Sequence, residues 1–572
     1  MKRSLTAGLL LLGLAACDKS PTGVGSKTTN LKIGSTVQLN VNADDYCSNP
    51  VLRTGKVVAQ SQHAFFLEDT QNPPGGFSAA EYQEIGDIFD SQIWPTDTNN
   101  FGTPSDLDKN GKVLIFYTSG VNQLTPANVD YIVGGFFYSR DLFPRKAQTA
   151  DQNCPGSNEA EMFYLLAPDP NGTINGNARS HQYVRETTVG TVAHEFQHLI
   201  NSSRRVYVNN ADSLEVVWLD EGLAHVAEEL NFYAASGLSP RQNLNTAAVT
   251  QSQVRVDAFN ELQSANVDRA IRYYQNPEST SPFADNDLLE TRGATWDFLR
   301  YAADRKGGTE RDFWFSLVNS KHVGLENLQG ALGTDPLTYA HDLSVSVYTD
   351  DAVAAASQYL QPSWNFRSLM PALRSGAFPL RTRLLANGVP MAVNLHFASG
   401  AYLRFGVAPG GRAEVRTTSS AVASSGTACL AAGPSRTLAV GEVFNGSLAD
   451  AATLCLDGGP TGAEFTYIPF FAAASGYASP EGLLPVTVSA TGVVPPVGPP
   501  TPDVASRTSG ALFSRILSAG ATDDSRDGGF EARLRQREHA AASRMSGRGA
   551  AMARRQVTPT PQMLLISIVR TK

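Results

Sequence analysis

Two histidines four residues apart with a glutamate between them, His194-Glu195-Phe196-Gln197-His198, are the residues of this chain best suited to chemistry. On a helix, positions four apart differ by about 40° around the axis and about 6 Å along it, so both imidazoles leave one face and can meet one metal ion at about 2.0 to 2.1 Å. Glu195 stands beside that face, where a carboxylate can act as a base toward water. Downstream, Asp220 and Glu221 both offer a third ligand. Helix neighbours point about 100° apart, so only one of them can face the metal. Three protein ligands and a water describe an open catalytic zinc. A structural zinc takes four closed ligands, usually with Cys, and no Cys lies near these segments. The plain alternative is a pair of surface histidines on an amphipathic helix.

The elements that must position these residues can be read around them. Val189, Val192, Ala193, Phe196, Leu199 and Ile200 keep a helical period. Arg204 and Arg205 follow at the expected C-terminal end, where positive charge suits the helix dipole. A second helix begins within 215–230. Upstream, Leu31 to Val41 alternates with period two and reads as a strand; 57–60, 64–67, 112–117, 134–138 and 162–166 are further strands, with a helix over 78–89. Downstream, 286–306, 311–319 and 336–348 read as helices. A mixed sheet packed by helices is predicted for residues 30–375. From about Phe378 short alternating strands such as 401–407 are separated by Gly, Ala and Ser turns, which predicts an all-β, sandwich-like domain over 376–490.

HEFQHLIN at 194–201, followed by WLDEGLA at 218–224, resembles the gluzincin metallopeptidases, and most closely the hyicolysin-like group of bacterial secreted peptidases. The likeness is carried by residues 186–202 and 215–230. The metzincin pattern fails, because it needs Gly and His where Asn201 and Arg204 stand. The resemblance implies an α+β zincin-like catalytic domain with a mixed sheet, a helical half and the cleft between them. It implies His194, His198 and Glu221 as zinc ligands, selecting Glu221 over Asp220, and Glu195 as the general base of peptide-bond hydrolysis. It further implies a transition-state donor downstream, for which Tyr273, Tyr274 and Arg292 stay open. An edge strand that pairs with substrate backbone is also implied, with Met162 to Leu166 as a candidate. In one departure, His225 stands where thermolysin-like members carry the Asp that orients a zinc His. Glu228 is a candidate for that role, while packing or surface roles for His225 and Glu228 stay open.

The chain has 572 residues, 42% of them hydrophobic, enough to bury the cores of two or three domains. A formal charge of −8 and the lack of a strongly basic folded region argue against nucleic acid as a partner. Lys2 and Arg3 precede the apolar run Leu9 to Leu12 and then Leu14-Ala15-Ala16-Cys17, the order of a secretory signal whose ending resembles a bacterial lipobox. Residues 1–17 are therefore predicted to be a lipoprotein signal peptide and Cys17 the lipidated first residue of an exported chain. The lipid would anchor the chain in the cell envelope, in an unassigned leaflet, with 18–29 as tether. No later apolar run is long enough to span a membrane. The other cysteines, Cys47, Cys154, Cys429 and Cys455, are even in number, which suggests disulfides; their separations favour Cys47 with Cys154 and Cys429 with Cys455 among three pairings.

Asp106, Asp108 and Asn110 begin a calcium-type loop, DxDxNG, but its twelfth position is Tyr117 rather than Glu, so a sharp Asx turn is favoured over calcium. Residues 491–505 form a Pro-rich linker that should act as a spacer. Residues 506–572 are Arg- and Ala-rich and read as a disordered or processed tail, with a basic helix over 531–555 as the alternative. The combined expectation is an envelope-anchored zinc metalloendopeptidase with Zn2+ as cofactor and protein or peptide as substrate. An aminopeptidase is the nearest alternative, although the motif that holds a substrate α-amine is absent. From a different class, a surface-binding lipoprotein on a peptidase scaffold would have no need of Glu195.

Overall fold

The computed structural model describes residues 28–129, 131–147, 150, 153–374, 376–419, 429, 435–473, 482–497, 534, 537–538 and 562–572. The expected signal peptide with Cys17, nearly all of the tether, part of the linker and most of 506–561 lie outside the described residues.

Two antiparallel hairpin-linked pairs open the first sheet: β1 (Thr36–Asn40) on β2 (Leu52–Gln60), and β2 on β3 (Ala64–Asp69). The sheet continues with β4 (Val113–Tyr117), β5 (Gly135–Phe137) and β6 (Met162–Leu165), in the order β1-β2-β3-β4-β6-β5. β3, β4 and β6 are parallel to one another, and β5 runs antiparallel to β6. β4 reads VLIFY and is buried at every position, the continuous apolar run of a strand covered on both faces, whereas β1 at the edge alternates. Met162–Leu165 is therefore an interior strand and not the edge suggested for it. β5 forms the edge, because its antiparallel pairing caps the free side of β6.

Helices cover this sheet and extend beyond it: α1 (Ala79–Ile88), closed by a Ser78–Glu81 capping box, α2 (Trp94–Phe101), the single turn α3 (Ser119–Asn122), α4 (His181–Ser203) and α5 (Val217–Ser236). The helical half follows as α6 (Thr246–Val249), α7 (Gln253–Leu262), α8 (Ser264–Gln275), α9 (Leu289–Lys306), α10 (Glu310–Val318), α11 (Gly324–Leu332), α12 (Pro336–Thr349) and α13 (Phe366–Arg374). Ser180 caps α4 by accepting from the Tyr183 N–H, which starts the helix earlier than its apolar period indicates. From Val192 to Ser203 every residue of α4 is buried, so this is a central helix and not an amphipathic surface one. Arg205, at the C-terminal end of α4 as expected, is buried and forms a structural ion pair with Glu215 at 3.1 Å.

Beyond residue 376 the described chain is built of strands, apart from a helical turn at Leu448–Ala451 and helical residues Leu534, Arg537 and Glu538. It comprises β7 (Thr382–Leu384), β8 (Met391–His396), β9 (Tyr402–Val407), β10 (Arg412–Thr418), β11 (Val443–Ser447), β12 (Thr453–Asp457), β13 (Ala463–Ala473), β14 (Leu483–Thr491) and β15 (Gln562–Arg570). These form a four-stranded sheet, β12-β10-β14-β8, and a five-stranded sheet, β11-β15-β13-β9-β7, antiparallel except for β7 on β9. Both expected disulfides are present, Cys47–Cys154 in the first region and Cys429–Cys455 in the second.

The end of the chain differs from the expected tail. β15 lies inside the five-stranded sheet, and Leu564, Ile566, Ile568 and Val569 on it are fully buried. The overall Arg and Ala content of 506–572 hides this short apolar run. Upstream, the Arg537 guanidinium donates to the Ala43 carbonyl and Glu538 accepts from the Ser139 N–H, so parts of this segment rest on the first region. Among the described residues no helix is long and apolar enough to cross a membrane.

Candidate active site

α4 and α5 pack against each other and bring the two motifs together. The Nε2 atoms of His194 and His198 lie 3.1 Å apart; Glu221 Oε2 is 3.3 Å from His194 Nε2, and Glu221 Oε1 is 3.6 Å from His198 Nε2. Ligands at 2.0 to 2.1 Å around a tetrahedral ion are separated by about 3.3 to 3.4 Å, so these three donors fit zinc in both chemistry and spacing. All three are buried, at 6%, 0% and 1% exposure. The arrangement is a gluzincin-like HExxH metal site: His194, His198 and Glu221 form a zinc-coordinating set, consistent with zinc-dependent peptidase catalysis. Glu195, the next residue of α4, is also buried.

Each histidine is held from behind. Glu228 Oε1 is 2.7 Å from His194 Nδ1, and Asp220 Oδ2 is 3.0 Å from His198 Nδ1. Asp220 is in turn held by the Asn201 amide, which donates to Oδ1 at 2.6 Å. Such carboxylates fix the tautomer and raise the basicity of the ligating nitrogen. Glu228 thus stands where the sequence proposed it. Asp220, seen in sequence only as a rival of Glu221, reaches the same cluster from the other side of a ring, because the 100° between neighbours on α5 spans the two nitrogens of His198.

The His225 ring lies 4.8 Å from the His194 ring, tilted by 55° to it, and shares Glu228 with it, at 3.1 Å. His194, His225 and Glu228 are close enough to form a second ligand set. The His194 nitrogen facing Glu228 is Nδ1, however, while its Nε2 faces His198 and Glu221, so Glu228 serves the first set from its rear. Burial, reinforced by the Arg269 charge, pushes the His225 pKa down to about 3 and keeps the ring neutral.

The electrostatics favour a cation. Burial alone would lower the His194 pKa, but the hydrogen bonds of Glu221 and Glu228 overcome it and push the value up to about 10. Burial would raise Glu221, yet Arg292, His198 and His194 hold it well below the ordinary carboxylate value. The buried pocket therefore keeps its negative charge and takes up positive charge, as a proton or as a metal.

Of the three downstream candidates, Arg292 meets the cluster. Its Nη1 is 3.1 Å from Glu221 Oε2, and its Nε is 2.6 Å from Asp287. Tyr273 and Tyr274 are turned into the core: the Tyr274 hydroxyl is engaged with Asp297 and Gln361, and its ring packs edge-on against Tyr273, Phe366 and Phe378. Close helix crossings bring Arg292 into reach. A Cβ on Gly222 would stand 2.6 Å from Thr295 on α9, and one on Gly293 would stand 2.2 Å from the Arg269 backbone on α8. Asp106, Asp108 and Asn110 lie elsewhere, on the loop entering β4, where Glu161 joins Asp106 and Asp108.

No family model matches the chain. It is 27% identical over 338 residues to the neutral metalloprotease ShpI of Staphylococcus hyicus, a stretch that covers 55% of this chain and 68% of that protein. The chain is thus a distant relative of a protein named as a neutral metalloprotease, and it carries its own HExxH metal site with Glu221.

Proposed function

We propose that the protein is an exported zinc metalloendopeptidase of hyicolysin-like type, anchored to the cell envelope through Cys17 and acting on protein or peptide. The observation that carries the catalytic part is the triangle of His194, His198 and Glu221 donors at 3.1, 3.3 and 3.6 Å, with a carboxylate behind each imidazole. Zinc bound there supplies a Lewis acid that lowers the pKa of water from about 15.7 to about 7. Glu195 takes the proton of the attacking water and delivers it to the leaving amine as the peptide bond breaks. Asp220 and Glu228 aim the imidazoles and raise the basicity of their ligating nitrogens, and Arg292 positions Glu221 by holding its Oε2. An extended substrate segment suits β5, the strand at the sheet's edge. Export and lipidation are supported by Lys2, Arg3, the apolar run and Leu14-Ala15-Ala16-Cys17. The domain division at about residue 376 is supported by the change from helices to strands there.

The test is zinc content and casein cleavage, with and without chelator, for the chain from residue 18 and its Glu195→Gln variant. We expect about one zinc per chain in both, chelator-sensitive cleavage in the first, and a loss of about 10²- to 10⁴-fold in the variant. A variant that still cleaves at a tenth of the parental rate overturns the role of Glu195; absence of zinc overturns the enzyme reading in favour of a binding lipoprotein.

A further inference from the structure

A second cluster of oxygen donors lies on the loop between α2 and β4. Asp106, Asp108 and Asn110 occupy positions one, three and five of a DxDxNG loop, with Gly111 at position six in a left-handed conformation at φ 70°. In a twelve-residue calcium loop the last position brings a carboxylate. Here that position is Tyr117, which is buried in β4 with its hydroxyl bonded to Thr188 at 2.7 Å. The carboxylate comes instead from another strand. Glu161, immediately before β6, points under the loop: its Oε1 accepts from the Leu107 N–H and from the Ser105 hydroxyl, each at 2.8 Å. Its other oxygen, Oε2, has no hydrogen-bond partner, although Glu161 is only 2% exposed. Donor oxygens of Asp106, Asp108 and Glu161 lie within 4.8 Å of one another, inside the span of about 5 Å across a calcium coordination shell.

A buried carboxylate oxygen with no donor is costly unless a proton or a cation meets it, and burial pushes the Glu161 pKa up to about 7, so above that pH a cation is what satisfies it. The nearby Lys112 ammonium does not, because it is bound to the Ser61 and Gln62 carbonyls. Asp106 is exposed and leaves the cluster open to solvent on one side. The donors are all oxygen, with no imidazole or thiolate, which selects a hard cation over zinc.

We propose that Asp106, Asp108 and Glu161 form a calcium site separate from the zinc cluster, in which Glu161 of a neighbouring strand replaces the missing twelfth-position acid. The bound ion ties the loop 102–112 to β6. Through the Ser105 N–H, which donates to Ser203 Oγ, and through Arg204, which donates to the Thr103 carbonyl, that loop is joined to the end of α4, the helix that carries both zinc histidines. Calcium therefore stabilises the platform of the zinc site without touching it.

Equilibrium dialysis of radioactive calcium against the zinc-loaded full chain, in excess magnesium, tests this, together with the melting temperature with and without calcium. The wild type should take up one calcium beyond its zinc and melt at a higher temperature with calcium present. Asp106→Asn keeps the acceptor that the Gly111 N–H uses, and Glu161→Gln keeps one for Leu107 and Ser105. Each should fold, retain zinc, lose at least about tenfold in calcium affinity and lose the calcium-dependent melting shift. No saturable uptake by wild type at about 10 mM calcium, above the range of weak extracellular calcium modules, overturns the site. So does uptake that is unchanged in both variants. Should Glu161→Gln fail to fold, Asp106→Asn decides alone, since its side chain is exposed.

Discussion

His198 is held at both ring nitrogens, by the metal-facing side toward His194 and Glu221 and by Asp220 at Nδ1. Substituting Asp220 by Asn leaves the shape but removes the charge that makes the imidazole a strong ligand. The same holds for Glu228→Gln behind His194. Each change should weaken zinc affinity by about 10- to 100-fold, measured by competition with a chromophoric chelator, while the fold is retained. The two histidine ligands are legible in the sequence, since HExxH on a helix sends both imidazoles from one face, whereas Glu221 is selected over Asp220 by the family resemblance. Asp220 is not legible in that way. Its role depends on the rotation of α5 against α4, which places the residue before the ligand on the far side of a ring belonging to the other helix.

At the scale of elements, α5 and α9 meet through Gly222, one residue after Glu221, and that contact lets Arg292 reach Glu221. Gly222→Ala would drive a methyl group to 2.6 Å from Thr295 and 2.8 Å from Leu299, so α9 must move away. The expected cost is about 1 to 3 kcal/mol in a urea titration. Activity should fall further than this stability loss explains, because Arg292 moves with α9. On the same helix burial pushes the Asp297 pKa up to about 8 from an ordinary 3.8. Between those values the folded chain holds a proton that the unfolded chain has released, so stability falls as pH rises through this window. Asp297→Asn removes that proton linkage and still accepts from Tyr274. Its urea midpoint should decline less than that of wild type between about pH 5 and 8. Helices and strands around the site follow from their apolar periods. The sheet order does not, since β6 becomes interior only because β5 returns antiparallel beside it.

The whole molecule joins ends that are far apart in sequence. β15 completes the five-stranded sheet between β11 and β13, and Ser567 on it contacts His341 of α12 at 2.8 Å. Removing residues 562–572 should split that sheet and make the chain beyond residue 376 sensitive to limited proteolysis. Zinc content should be retained, because all zinc ligands lie in the first region. By itself the sequence determined the metal chemistry, the helices that carry it and the change from mixed α+β to all-β structure, and it favoured the two disulfide pairings that the structure contains. These are encoded locally, in spacing of a few residues, in periodicity or in a small number of possible partners. Only the tertiary structure decided that Asp220 and Glu228 back the histidines, that Arg292 and not Tyr273 or Tyr274 meets Glu221, that Glu161 joins the Asp106 loop and that the last strand is buried. Each of these is a contact between segments far apart in the chain, set by how helices cross and strands are ordered, and no local pattern of residues carries that information.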